Sequence, residues 1–216
     1  FTTPHGGGGP GCGAVGASDA LQRHLPSPLV RRDSSGAYHW DDDRPDAVSR
    51  IRSFYGNFGM MVRAWTYISE MGNTGLRQAS RMAVLNANYV RARLRPRYDL
   101  PYDGDCLHEV VFSDKNQQES AGIKVIDVAK RLIDHGIHPP TVAFPLIVHG
   151  ALMIEPTETE SKEDLDRLCD ALLAIADEVE SSPEIVRGAP HNTAHGRFDE
   201  ALAARCPVLR WTPGMP

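Results

Sequence analysis

The sequence predicts an α+β layer from about residue 100 onward, preceded by a strand-poor stretch of loops and two helices. Three observations predict it. Short β-branched and apolar runs occur at 108–113, 141–144 and 151–154. Apolar residues at steps of three and four mark helices before, between and after them. Residues 1–46 are dense in Gly, Pro, Ser, Asp and Arg and show neither pattern.

In residues 1–46 little regular structure is expected beyond a short helix near Ala17–Leu25, with Pro26, Pro28 and Pro45 as punctuation. Asp41-Asp42-Asp43 reads as a solvated turn, because adjacent carboxylates point in different directions. A helix is expected from about Met60 to Met71, an interruption at Gly72-Asn73, and a second helix from about Gly75 to Leu94. Leu76, Ala79, Ala83, Ala87, Val90 and Leu94 form one apolar stripe on it. Arg77, Arg81, Arg91 and Arg93 read as its solvated side, and Pro96 ends it.

His108–Ser113 reads as a strand and 114–122 as a polar loop. Val125, Val128, Ala129, Leu132 and Ile133 have helical spacing, with Gly136 just past the end. Strands follow at Thr141–Phe144 and Ala151–Ile154. Ser161 with Asp164 resembles a capping box, with Asp in place of the usual Glu or Gln. The helix it opens carries Leu165, Leu168, Cys169, Leu172, Ala176 and Val179 on one side, and Ser181-Ser182-Pro183 closes it. A last short helix is expected near Arg197–Ala204. The resulting order, strand, helix, strand, strand, helix, suits helices on one face of a mostly antiparallel sheet. The residues before it lack strands for a core of their own and should dock onto something outside this chain.

Composition narrows the function classes. The 216 residues are 41% hydrophobic and 24% charged, with net charge −5 and pI near 6.0, so a basic nucleic-acid footprint is not expected. No apolar run approaches the roughly 18 residues of a membrane span. The front of the chain shows no charged segment followed by an apolar one, which predicts no secretory leader. Its opening at Phe1 reads as that of a fragment of a longer polypeptide. Cys12, Cys106, Cys169 and Cys206 are scattered without zinc spacing and read as free thiols in a reducing cytoplasm.

Residues 4–11, Pro-His-Gly-Gly-Gly-Gly-Pro-Gly, are the most informative segment. Four glycines carry a high entropic cost, justified where backbone amides must approach a ligand closely. A flexible linker is the other reading. The His and the two prolines favour a wall of a site.

Several segments together resemble one family. They are Phe1-Thr-Thr-Pro-His-Gly-Gly-Gly-Gly-Pro-Gly, Phe54-Tyr-Gly-Asn-Phe-Gly, Ala83-Val-Leu-Asn-Ala-Asn-Tyr, Asp127-Val-Ala-Lys-Arg-Leu, His138-Pro-Pro-Thr and Met153-Ile-Glu-Pro-Thr-Glu-Thr-Glu-Ser. The chain resembles the C-terminal part of decarboxylating glycine dehydrogenase, the P-protein of the glycine cleavage system, of the separate second-subunit type. The resemblance implies an α/β fold, fold type I of the pyridoxal 5′-phosphate transferases. Residues 1–97 would be the remainder of the large cofactor-binding domain and 98–216 the α+β C-terminal small domain. It implies an oxidoreductase that decarboxylates glycine and passes the aminomethyl group to the lipoyl arm of an H-protein, with subunit 1 or a second copy as partner. The Schiff-base Lys would lie in a His-Lys-Thr motif just before Phe1. Lys115, Lys124, Lys130 and Lys162 do not match that motif, so the chain alone is expected to be inactive. Ala14, and the less apolar Ala17-Ser18, depart from the family pattern.

The resemblance makes His5 a candidate polar group facing cofactor or substrate, and places Gly6, Gly7, Gly8 and Gly9 at the mouth of the site. Asn57, in a loop before a helix, would reach the neighbouring subunit's cofactor phosphate, or else cap that helix. A substrate-carboxylate Arg is expected, with Arg44, Arg52 and Arg63 unranked. His138 reads as structural. Glu155, Glu158 and Glu160 suit dipole and capping roles better than paired acid–base work. His191 and His195 share helical spacing, yet Pro190 and Gly196 argue for a loop, and metal is rejected. The competing functions are a non-catalytic scaffolding module that grips a partner protein with the Gly-rich loop, and another fold-type I enzyme such as an aminotransferase or lyase.

Overall fold

The computed structural model describes residues 10–51 and 54–214. The chain divides into two compact units, Phe1–Leu76 and Arg77–Pro216. His5 and Gly6–Gly9 lie outside the described residues.

The first unit begins with helix α1 (Asp19–Gln22) and a hairpin of β1 (Leu29–Arg32) with β2 (Tyr38–Asp41), antiparallel with Leu29 opposite Asp41. The hairpin corrects the expectation of little regular structure. Its turn is built by Asp33, whose Oδ1 accepts the Ser35 and Ala37 amides at 2.8 and 3.0 Å, while Gly36 takes φ 91°. The acidic run is ion-paired and only partly exposed: half-buried Asp41 meets Arg31 and Arg44, and exposed Asp42 meets Arg50 at 2.7 Å. Helix α2 (Phe58–Leu94) follows, with the expected interruption at Gly72, where φ 58° and ψ −176° are not helical.

The described residues of this unit form no apolar core. Among its described residues only Ser27 and Pro28 are buried. Phe58, Met61, Val62, Trp65 and Ile68 lie along one side of α2 and are all exposed.

The second unit holds the core. Strands β3 (Val110–Ser113), β4 (Thr141–Val142) and β5 (Ala151–Ile154) form an antiparallel sheet in the order β3-β5-β4. Helices α3 (Lys115–Ala121), α4 (Val125–Asp134), α5 (Lys162–Ser181) and α6 (Pro183–Gly188) accompany it, with α7 (Glu200–Arg205) beyond them. Val90 and Leu94 of α2 pack with Tyr98, Phe112, Leu132, Leu152, Leu172 and Ile175, all almost fully buried. The predicted stripe of α5 is therefore the core face, with Ala171 and Ile175 added to it.

Three readings of this unit need correction. Residues 115–121 are helical; Lys115, Gln117, Gln118 and Glu119 are good helix formers, and Gly122 terminates the helix at φ 68°. Pro183 opens α6 as well as ending the chain's run through α5, since an N1 position needs no amide proton. The arginines of α2 are not merely solvated. Arg93 bridges Asp166 and Asp170 of α5 at 2.8 and 2.6 Å, and Arg91 meets Asp103 at 2.9 Å. The expected capping box is half realised: Ser161 Oγ accepts the Asp164 amide at 3.1 Å and donates to Asp164 Oδ2 at 2.7 Å.

Candidate functional site

In the first unit the loop Phe54–Asn57 leads into α2. Gly56 takes φ 108°, and a Cβ there would stand 2.5 Å from the Met61 methyl, so the turn requires glycine. Tyr55 packs on Trp40 with ring centroids 4.8 Å apart. The Asn57 carbonyl accepts the Met60 and Met61 amides at 2.9 and 3.1 Å, which puts Asn57 at the helix entrance. Its side-chain Nδ2 donates to the Gly11 carbonyl at 2.9 Å. The described end of the Gly-rich segment is thereby fastened to the start of a long helix. The leading amides of such a helix lack intrahelical acceptors and favour an anion.

Arg44 is occupied elsewhere. Its side chain is buried, and it bonds Asp41 Oδ2 at 3.2 Å and the Gln22 carbonyl at 2.7 Å. Arg52 lies outside the described residues, and Arg63 is engaged within the fold.

In the second unit two of the quoted segments meet. Buried Asn86 donates Nδ2 to the Thr157 carbonyl at 2.8 Å, tying Ala83–Tyr89 to the Glu-Pro-Thr-Glu segment. Asn88 holds the Cys106 carbonyl at 2.7 Å and accepts the Cys106 amide at 3.3 Å. Glu155, at the end of β5, stands 3.8 Å from His108 Nε2, while Thr157 and Thr159 share a hydroxyl contact of 2.8 Å. Capping of α5 falls to Ser161, and Glu163 and Asp164 supply negative charge to its first turn.

The remaining candidates have structural partners or surface positions. His138 is exposed. His191 Nε2 meets the Ile185 carbonyl at 2.8 Å, and the His195 ring lies 5.9 Å from Phe198, both within a non-helical segment as expected. Lys130 meets Glu200 at 3.4 Å and Lys162 meets Asp166 at 2.6 Å. Among the described residues no group of three or more His, Cys, Asp or Glu is gathered as for a metal ion, and no helix is long and apolar enough to cross a membrane.

Sequence reasoning missed two elements of this geometry. The Asn57–Gly11 bond gave no local signal, because it spans two loops. The hairpin bearing Trp40 did give one, in the turn residues Asp33-Ser34-Ser35-Gly36 between two runs of strand formers.

Residues 79–194 match the family described as "Glycine dehydrogenase, C-terminal domain". The chain belongs to this family. Among glycine dehydrogenase relatives, the "Probable glycine dehydrogenase (decarboxylating) subunit 2" of Lysinibacillus sphaericus is 55% identical over 98% of this chain and 43% of its own length. The protein of the same name from Bacillus thuringiensis is 54% identical over all of this chain and 44% of its own. The chain thus spans less than half the length of these curated relatives. A solved structure, "Crystal structure of glycine decarboxylase (P-protein) of the glycine cleavage system, in inhibitor-bound form", aligns with TM-score 0.57 at 19% identity, over 73% of this chain and 37% of that one. The resemblance read from the motifs therefore holds, as does the expected fold class, that of the P-protein.

Proposed function

We propose that the chain is the C-terminal part of a pyridoxal 5′-phosphate-dependent glycine decarboxylase. The reaction releases CO2 from glycine and passes the aminomethyl group to the lipoyl group of an H-protein. The observation that carries this reading is the near-complete span of this chain by proteins named as decarboxylating glycine dehydrogenase subunit 2.

The described residues fit the cofactor in one respect. Asn57 stands where a long helix opens toward the Gly-rich segment, a setting that suits a phosphate. When bound, the cofactor supplies an electron sink for the departing carboxylate. The chain's own residues hold and shield. Gly6, Gly7, Gly8 and Gly9, outside the described residues, would wall the mouth and leave room for a lipoyl arm, His5 would face cofactor or substrate, and Asn57 fixes the described end of the Gly-rich segment at Gly11. Excluding water there protects the reacting carbon.

In this reading residues 1–97 complete a large domain and 98–216 form the small domain. The bare apolar side of Phe58–Ile68 supports it, because a unit without a core needs an outside surface to bury its aromatic side chains. That surface belongs to the rest of the enzyme, subunit 1 or a second copy, in the cytoplasm. The Schiff-base Lys belongs to the segment preceding Phe1.

The test joins this chain to the preceding portion of the Lysinibacillus sphaericus relative. With pyridoxal 5′-phosphate and lipoylated H-protein, the joined protein should release CO2 from glycine, and the chain alone should not. A joined protein that folds and binds the cofactor, yet leaves glycine untouched while processing another amino acid, would favour the aminotransferase or lyase reading.

A further inference from the structure

A small cavity of about 200 Å³ opens in the second unit between the end of β3 and the 147–149 loop. It is independent of the reaction proposed above. Tyr102, Lys115, Gln118 and His149 supply polar side chains to its wall, with Ile147 and Val148 as apolar lining. None of those four polar side chains has a hydrogen-bond or ion-pair partner among the described residues. This contrasts with a larger surface depression, where Asp166 and Asp170 are already engaged by Arg93.

The wall is built rather than incidental. Ser113 Oγ donates to the His149 carbonyl at 2.9 Å and accepts the Lys115 amide at 3.2 Å, so one hydroxyl fixes two of the polar residues. The next residue repeats the tie: the Asp114 amide donates to the Gly150 carbonyl at 3.0 Å. The Asp114 carboxylate is buried, and its Oδ2 accepts the Val125 amide at 2.7 Å. The lining itself includes an ammonium, an imidazole, a phenol and an amide, and no carboxylate.

We propose that this cavity binds a small organic carboxylate. Lys115 supplies the charge, Tyr102, Gln118 and His149 supply donors, and Ile147 with Val148 takes a short hydrocarbon portion. The volume equals roughly seven water volumes, which limits the ligand to a few carbon atoms.

The probe is sodium butyrate, with neutral butyramide and inorganic phosphate as comparisons. Saturation-transfer NMR on the full chain should show butyrate bound with Kd on the order of 1 mM. Butyramide and phosphate should give no more than the background. Lys115→Gln should weaken butyrate about tenfold, since a charge-assisted bond is lost, and Lys115→Arg should restore most of it. Tyr102→Phe, checked for an unchanged far-ultraviolet circular dichroism spectrum, should weaken it severalfold. Equal transfer to butyramide, preference for phosphate, or unchanged binding by both variants would overturn the proposal.

Discussion

Asn86 and Thr157, 71 residues apart, are joined by a 2.8 Å bond from a buried side-chain amide to a backbone carbonyl. Helix α2 thereby holds the chain that leads into α5. Asn86→Ala removes the donor and leaves a small void, and should cost about 1–2 kcal/mol. Urea unfolding followed by circular dichroism measures it. A loss below a few tenths would mean that the bond contributes nothing net.

Gly150 has φ +61°, and a Cβ there would fall 1.9 Å from Asp114 Oδ1. Gly150→Ala should therefore destabilise the second unit by about 2 kcal/mol or more. Adding Asp114→Ala removes the clash, so the pair should cost less than the sum of the single changes. Strict additivity in the double-mutant cycle would contradict the contact.

Cys169 is fully buried, and burial pushes its thiol up to about 11. Burial also raises the thiol of Cys106, whereas Cys12 and Cys206 are exposed. Iodoacetamide at neutral pH should modify Cys12 and Cys206 first and Cys106 more slowly. Cys169 should react only on unfolding. Peptide mass spectrometry over a time course checks the order.

Acid should loosen the second unit through Asp134 and Glu178. Burial alone would raise Asp134, but the Asn192 and His191 amides and Arg131 outweigh it and hold it below its ordinary 3.8. Hydrogen bonds from Arg131 likewise hold Glu178 below 4.5. Folded pKa values below the unfolded ones give stability that is complete above about pH 4.5 and fades as pH falls through the folded values. Asp134→Asn should flatten this fall in a urea series taken from pH 6 to 3. An unaltered profile would show that Asp134 carries none of it.

The second unit was more legible than the first because its elements bury a face. The periodicity of Leu165, Cys169, Leu172 and Val179 is the periodicity of the core itself. The short helix at Lys115–Ala121 was hidden because its buried residue is polar: Gln117 donates Nε2 to the Arg97 carbonyl at 2.9 Å, so no apolar stripe announced it. Arg93 of α2 was misread for a related reason, since its carboxylate partners, Asp166 and Asp170, come from α5, more than 70 residues on. In the first unit, the family motifs singled out the Gly-rich segment and Asn57, while only the Asn57–Gly11 hydrogen bond relates the two.

The location of the reactive lysine tests the functional reading most directly. The chain should be incubated with pyridoxal 5′-phosphate, alone and joined to the relative's preceding portion, then reduced with borohydride and mapped by mass spectrometry. The joined protein should carry one stoichiometric pyridoxyl group on a lysine that precedes Phe1, and the chain alone should carry none. A stoichiometric group on Lys115, Lys124, Lys130 or Lys162 would contradict the reading.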